Sequence, residues 1–347
     1  MEPGDTLYVA LSVPPELSER FAFQHGQYLT LSALVDDQTI QRSYSICAAV
    51  GEPPAIAIQK IDNGRFSHYA HTHFQPGQTL MASPPAGQFT SELDATTPRK
   101  YLCIAAGSGI TPVLSIIKTL LLHEPDAQVT LLYGNRRSTE VIFREALSWL
   151  KNAFLTRFQW INLFTRDTQQ TPLFNGRIDE QKIQAIHREL IDVASYDRYF
   201  LCGPEGMVSD ASRGLLSAGV NQADIRYELF FSSAQTDHQR AVNRHARARD
   251  YGDLAASVHI TAGGRQISLA LTADGQSILD SGFAAGLELP FSCKGGVCAT
   301  CKAKLLEGQV EMDKNHALSA AEVAAGYILT CQSHPISPHV VIDFDAP

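Results

Sequence analysis

No run of 18 or more apolar residues occurs in the 347 positions of this chain, so a membrane-crossing helix is not expected. The N-terminus, Met-Glu-Pro-Gly-Asp, is without the basic then apolar profile of a secretory leader. Positive charge is short: 28 Lys and Arg stand against 36 Asp and Glu, a formal net charge of −8. A general nucleic-acid surface is therefore not expected. There is no internal repeat and no low-complexity tract. Of seven cysteines, Cys47, Cys103 and Cys202 are scattered singly in apolar or strand-like contexts, which suits a reducing, cytoplasmic setting; Cys47 and Cys103 read as packing residues.

What is present is concentrated near the C-terminus. Cys293-Lys-Gly-Gly-Val-Cys298-Ala-Thr-Cys301, with Cys331 a further 30 positions on, has the spacing C-x4-C-x2-C followed by a distant cysteine. That spacing is the one plant-type 2Fe–2S centres use. A short loop can wrap three thiolates round a cluster while a separate segment supplies the fourth. Gly295 and Gly296 give such a loop backbone freedom. A four-cysteine zinc site and uncommitted cysteines are the alternatives.

The length predicts two or three domains. Residues 1–97 read as short strands, among them Gln27–Leu34, Arg42–Ala48 and Ala55–Ile61, punctuated by Gly and Pro turns. This is the pattern of an antiparallel β-barrel. At Arg99 the pattern changes. Tyr101–Ala106 is a continuous apolar run, as in a strand buried on both faces, and strands and helices then alternate to Phe230. Residues 98–231 thus read as a parallel α/β domain. Residues 232–256 are polar and aperiodic, with Arg240, Arg244, Arg247 and Arg249, and read as a solvated linker; docking on an acidic surface is the alternative. Residues 257–347 read as a small α+β module, with a capping box at Ser319–Glu322.

Two loops of the α/β domain suit a dinucleotide. Gly107-Ser-Gly109-Ile-Thr111-Pro112 lies between a buried strand and a helix, with Thr111 expected as N-cap and Pro112 as first helical residue. The third glycine of the usual fingerprint is absent, so a ligand-free turn is the alternative. Cys202-Gly203-Pro204-Glu205-Gly206-Met207 ends a later strand at the same expected edge. In the first domain, alternation puts Arg42 and Tyr44 of Arg42-Ser43-Tyr44-Ser45 on one strand face. A guanidinium there can clamp a pyrophosphate and a phenol can stack on a flat heterocycle. Gly64-Arg-Phe-Ser67 and Pro84–Phe89 add two further turns.

In this order the motifs resemble the ferredoxin–NADP reductase superfamily over essentially the whole chain, with a plant-type ferredoxin domain (β-grasp) at the C-terminus. The wording of three segments is closer still. Cys293–Cys301, Ala-Ala-Gly-Tyr-Ile-Leu-Thr-Cys331 and Val-Val-Ile-Asp-Phe-Asp345 are similar to the reductase components of the oxygen-dependent epoxidases of phenylacetate breakdown. The resemblance implies FAD, a 2Fe–2S cluster held by Cys293, Cys298, Cys301 and Cys331, and NADPH in preference to NADH. It assigns Arg42 to the FAD pyrophosphate, Tyr44 and Ser45 to the flavin ring, and Gly64 and Ser67 to FAD phosphate. Gly107, Gly109, Thr111 and Pro112 would line the NADP loop. Cys202, Gly203 and Pro204 would lie by the nicotinamide, and Glu228 and Phe230 would close the flavin pocket. Thr165-Arg166 would grip the 2′-phosphate. Tyr44, Ser45, Cys202 and Glu228 would then attend the chemistry, and the partner would be an oxygenase. Lys294, at the edge of the cysteine loop, is a candidate contact for that partner. Members usually carry a strand ahead of the one expected here at Thr6–Val13, so either the barrel is expected to be incomplete or its start is misassigned.

Other functions compatible with the motifs are supply of a different oxygenase or a hybrid-cluster protein, a cluster-based redox sensor, and a zinc-stabilised interaction module. His68, His71 and His73 suggest a metal only weakly; a surface helix is the preferred reading. Arg136 and Arg137 could touch nucleotide phosphate or ribose, with ordinary surface arginines the equal alternative, and the stripe Leu114–Leu122 reads as core.

Overall fold

Apolar strand runs separated by Gly and Pro turns build the first half of the chain, seen here in a computed structural model. It describes residues 2, 3, 5–36, 38–230, 233–252, 254–287, 289–291, 294–297 and 299–346, with backbone alone for 233–240. The chain divides into two units, Met1–Phe230 and Phe231–Pro347.

The first unit opens with β1 (Thr6–Ala10), β2 (Tyr28–Val35), β3 (Gln38–Ser45), β4 (Ala55–Gln59), α1 (Arg65–His73) and β5 (Met81–Ala82). β3, β2 and β5 form one antiparallel sheet, β1 and β4 another, and an Ile46–Ile56 bridge joins the two. Leu29 lies opposite Tyr44 and Leu31 opposite Arg42. Directly opposed residues share a face, so Arg42 and Tyr44 lie together, as alternation predicted.

The α/β part follows: β6 (Lys100–Ala106), α2 (Ile110–His123), β7 (Gln128–Asn135), α3 (Arg144–Ala153), β8 (Phe158–Phe164), α4 (Glu180–Glu189), β9 (Arg198–Gly203), α5 (Glu205–Ser217) and β10 (Ile225–Leu229). The sheet is wholly parallel in the order β10-β9-β6-β7-β8. The order reverses between β6 and β9, where a doubly wound sheet leaves a crevice at its carboxyl edge. One continuous core joins the antiparallel and parallel parts, running from Leu29 and Ile56 through Phe89 to Cys103 and Phe200. Ser115 Oγ donates to Ala48 O at 2.6 Å and Val50 N to Thr119 Oγ1 at 3.0 Å across the same seam.

Two expectations about α2 need correction. Its N-cap is Gly109, and Thr111 Oγ1 instead donates to Ser108 O at 3.0 Å. The turn Gly107–Gly109 is already 3₁₀-helical, so the helix begins two residues early. Pro112 still falls in the first turn, where its missing N–H costs nothing. In the apolar stripe, Leu114, Ile117 and Leu121 are buried, but Leu122 faces out.

The second unit contains α6 (Ser233–Tyr251), β11 (Ala255–Ala262), β12 (Arg265–Thr272), α7 (Ile278–Ala284), β13 (Lys302–Glu307), β14 (Val310–Met312), α8 (Ala320–Ala324), β15 (Tyr327–Leu329), β16 (Ser333–Pro335) and β17 (His339–Asp343). The mixed sheet runs β12-β11-β17-β13-β15, with β11 and β17 parallel. Ile278 and Leu279 of α7 share a core with Val258, Ile260, Val340 and Ile342 of the sheet, the β-grasp arrangement. The capping box at Ser319–Glu322 opens α8 as expected.

α6 occupies most of the stretch that reads as an aperiodic linker. No Gly or Pro interrupts it, Ala and Arg favour helix, and Gly252 at φ 49° ends it in a left-handed turn. Local propensity carries this helix rather than an apolar stripe, which is why periodicity did not reveal it.

Candidate functional site

The crevice of the parallel sheet is built by the meeting of its two glycine loops. A β-carbon on Gly109 would lie 2.3 Å from Cys202 O and 2.9 Å from Gly203 N, so only glycine lets the loops touch. Gly107, at φ +54°, has open space where a β-carbon would project. Tyr133 Oη braces this turn by donating to Gly107 O at 2.9 Å. Neither α2 nor α5, whose N-cap is Pro204, has a side-chain cap, leaving helix N–H groups at this edge for an anion. The donor set and the open cradle fit a dinucleotide. Cys202 is buried, and burial first, then the Glu228 carboxylate, push its thiol well above the usual range. It is a neutral thiol, suited to contact with a ring and unsuited to nucleophilic attack.

Glu228 on β10 pairs in register with Cys202 on β9, and Phe230 N donates to Gly203 O at 2.8 Å. Ser45, at the end of β3, donates to Glu228 Oε2 at 3.5 Å. The first strand sheet and the last strand of the parallel sheet are thereby brought together. Tyr44 lies beside Phe66, ring centroids 5.7 Å apart. Burial raises its phenol pKa, with the Arg42 charge opposing only in part, so it stays protonated. Arg42 is half-buried and donates to Gln41 O at 2.7 Å. A half-buried cation and a neutral aromatic ring on one face, with a hydroxyl and a carboxylate close by, fit a flavin. Gly64 is the N-cap of α1. Ser67 Oγ donates to Gly64 O at 3.0 Å and accepts from Ile61 N at 3.3 Å, so its hydroxyl closes the turn that aims the helix N–H groups.

At the far end of the same sheet edge, Thr165 and Arg166 are exposed, as are Arg136 and Arg137. Arg166 N donates to Arg136 O at 2.8 Å and Thr165 N to Asn135 O at 3.1 Å. Asp167 Oδ2 ties the loops by accepting from Ser138 N at 2.6 Å and Ser138 Oγ at 2.8 Å. Those two bonds hold its carboxyl below the usual range. Nothing along the chain hints at this clamp, because Ser and Asp are ordinary loop residues. The result is three arginines on two adjoining loops.

In the second unit, Cys293 and Cys298 lie outside the described residues. Cys301 and Cys331 are buried. Thr330 joins their segments, donating to Cys301 O from its N at 3.2 Å and from Oγ1 at 2.9 Å. Gln332 Nε2 donates to Lys294 O at 2.8 Å and to Cys331 Sγ at 3.5 Å. Lys294 and Ala299, both at φ 50°, and Gly296, at φ 80°, take left-handed backbone within the cysteine loop. Left-handed turns for non-glycine residues are costly and concentrate at ligand cradles; the loop fits a cluster. Among the described residues no group of three or more His, Cys, Asp or Glu is placed to hold a metal ion. A cavity of about 630 Å³ adjoins Cys331, lined by Arg244, Arg247, Asp280, Asp313 and His334 among others.

Lys294 and the three histidines of α1 have partners within the chain. Lys294 Nζ bonds Asp280 at 2.6 Å and lies 4.7 Å from the centre of the Phe291 ring. His68, His71 and His73 each bond a backbone carbonyl, of Ile61, Ile58 and Tyr69, which supports the helix reading. Cys47 and Cys103 are buried in the core.

Residues 103–213 match the family described as the oxidoreductase NAD-binding domain, and residues 260–335 match the 2Fe-2S iron-sulfur cluster binding domain. The chain is 42% identical to a component of the 1,2-phenylacetyl-CoA epoxidase of Escherichia coli (strain K12), over 99% of this chain and 95% of that one. It is 32% identical to the ferredoxin reductase component of 3-ketosteroid-9-alpha-monooxygenase from Rhodococcus rhodochrous, over 99% and 94%. In fold it is similar to phthalate dioxygenase reductase, with a TM-score of 0.60, 21% identity, and coverage of 99% of this chain and 95% of that one.

Proposed function

Because this chain belongs to the reductase components of multicomponent oxygenases, we propose that it is an NADPH-dependent FAD and 2Fe–2S reductase. Its acceptor is the di-iron oxygenase of a phenylacetyl-CoA 1,2-epoxidase, in the cytoplasm. In this reading residues 1–97 bind FAD, 98–231 bind NADPH and 257–347 carry the cluster. The observation that carries it is the convergence at one sheet edge of Ser45, Glu228 and the Gly109–Cys202 contact.

When bound, a flavin takes an electron pair as hydride and a plant-type cluster passes electrons singly. The protein's part is binding and orientation. Arg42 holds the FAD pyrophosphate, and Tyr44 lies along the ring. Gly64 and the backbone beside Ser67 receive FAD phosphate. The Ser45 hydroxyl, bonded to Glu228, would serve the flavin ring, with Phe230 closing that side of the pocket. Gly107, Gly109, Thr111 and Pro112 shape the pyrophosphate loop; Cys202, Gly203 and Pro204 shape the nicotinamide side. Thr165 and Arg166, flanked by Arg136 and Arg137, select the 2′-phosphate; without that phosphate, NADH loses this contact. Cys293, Cys298, Cys301 and Cys331 ligate the cluster. The epoxidase as acceptor rests on the 42% identity along the chain. No helix among the described residues is long and apolar enough to cross a membrane.

The test begins with iron and sulfide assays on anaerobically purified protein, followed by NADPH titration. Flavin bleaching and then cluster bleaching are expected. Purified epoxidase with phenylacetyl-CoA should then accelerate NADPH oxidation. Flavin bleaching with no cluster reduction removes the relay. An intact relay that ignores the epoxidase points to another oxygenase, a reading favoured by the ketosteroid relative at 32% identity.

A further inference from the structure

α6 carries a fully buried cation. Arg247 is 2% exposed, Nε donating to Ala273 O at 2.8 Å and Nη1 pairing with Asp313. The Asp313 side chain is 4% exposed. Asn243, one helical turn before Arg247, donates to Asp313 Oδ1 at 3.0 Å, and His334 Nε2 lies 3.3 Å from Oδ2. Burial pushes the Asp313 pKa up, but bonds from His334, Arg247 and Asn243 outweigh it and hold the carboxyl well below the usual range. A buried pair of this kind adds little net stability, yet losing one partner leaves a charge stranded.

The backbone around Asp313 leads to the cysteine segments. Asp313 N donates to Gln332 O at 2.8 Å, next to Cys331. Three residues on, His316 N donates to Gly296 O at 2.9 Å, inside the cysteine loop. A β-carbon on Gly296 would lie 2.8 Å from Lys314 O, so the segment 313–316 presses on that loop. Residues 313–316 thus strap the three-cysteine loop to the fourth-cysteine segment, and α6 anchors the strap through Arg247. Cys331, Arg247 and Asp313 also line one cavity.

We propose that Arg247 is a positioning residue for the 2Fe–2S centre: through Asp313 it fixes the strap that sets the spacing and the electrostatic surroundings of the cysteine ligands. α6 is then an integral part of the electron-transfer module. This rests on the cluster reading proposed above.

The experiment uses the full chain, reconstituted anaerobically, as wild type, Arg247→Met, Arg247→Lys and Asp313→Asn. Cluster loss to a chelator, the electron paramagnetic resonance spectrum of the reduced centre and its midpoint potential are read for each. Loss of such a supporting contact typically costs metal sites about tenfold or more in affinity, and Arg247→Met is expected to lose its cluster about tenfold faster. Its potential should fall, because Asp313 is left as a buried negative charge. Asp313→Asn removes the buried negative charge and leaves Arg247 only the part-exposed Glu311 carboxylate at 3.6 Å; the potential should rise, so the two shifts have opposite sign. Arg247→Lys should restore part of both properties. If Arg247→Met does not fold, the upward shift in Asp313→Asn carries the test alone. Unchanged spectra and potentials, with only a lower melting temperature, overturn the proposal and leave Arg247 as an ordinary structural contact. Wild type without iron and sulfide overturns the cluster reading itself, a separate failure.

Discussion

Gly109 and Cys202, 93 positions apart in sequence, meet so closely that a β-carbon on the first would sit 2.3 Å from the carbonyl oxygen of the second. The contact closes the crevice where the strand order of the parallel sheet reverses. Gly109→Ala must push the loops apart, and overpacking of this kind costs about 1–3 kcal/mol. The KM for NADPH should rise and the first unit should melt earlier, while FAD content in the purified protein stays at the wild-type level. Steady-state ferricyanide reduction, thermal melting and flavin absorbance measure the three.

Ser45 and Glu228 set up a second expectation. The single hydroxyl hydrogen of Ser45 goes to Glu228 in this structure; turned to a bound flavin it would be a pre-organised donor, and removing one such donor typically slows chemistry by about 100-fold. Ser45→Ala should slow flavin reduction by NADPH to about that extent in stopped-flow traces. Glu228→Gln should cost less, since an amide still accepts from the Ser45 hydroxyl. An unaltered rate in Ser45→Ala would remove this residue from the flavin site.

The arginine loops predict coenzyme choice. Charge-assisted hydrogen bonds contribute about 1.5–3 kcal/mol, so Arg166→Ala should raise the KM for NADPH about tenfold or more. The KM for NADH should barely move. Equal effects on both coenzymes would place the 2′-phosphate elsewhere.

Acid sensitivity of the first unit follows from His25. It is buried, its Nε2 accepts from Ser91 N at 3.2 Å, and burial first, then His123, push its pKa down to about 4. The folded state therefore disfavours the protonated ring relative to the unfolded chain. Its contribution is complete above the unfolded pKa of about 6.5 and is lost as pH falls toward 4. The loss amounts to about 3 kcal/mol. Denaturant unfolding of the first unit at pH 7 and pH 4.5 should show the decline, and His25→Gln should flatten it.

Cluster removal should separate the two electron carriers. Cys331→Ser is expected to lose cluster absorbance and all supply to an oxygenase, while NADPH still bleaches the flavin at the wild-type rate. Loss of both activities together would mean that the substitution had disturbed the whole fold.

Much of this architecture is legible along the chain because its signals are local. Apolar runs such as Tyr101–Ala106 and the glycine turns after them mark the βα units, and the cysteine spacing marks the cluster loop. Short strands with weak periodicity, such as β14 and β16, escaped notice. They are three residues each, too short for alternation to register. The helix over the arginine-rich segment left no periodic signal because local propensity carries it rather than an apolar face, and the partner of its buried Arg247, Asp313, lies 66 positions away.

By itself, then, the order of residues determined the succession of βα units, the C-x4-C-x2-C spacing and the glycine loops, since each depends on neighbours within a turn or two. Which groups meet was decided only in three dimensions. Ser45 reaches Glu228 across 183 positions and Arg247 reaches Asp313 across 66. Partners that distant leave no periodic trace in a single sequence. They are selected when strands pair and cores close, because burial penalises any charge or hydroxyl left without a partner.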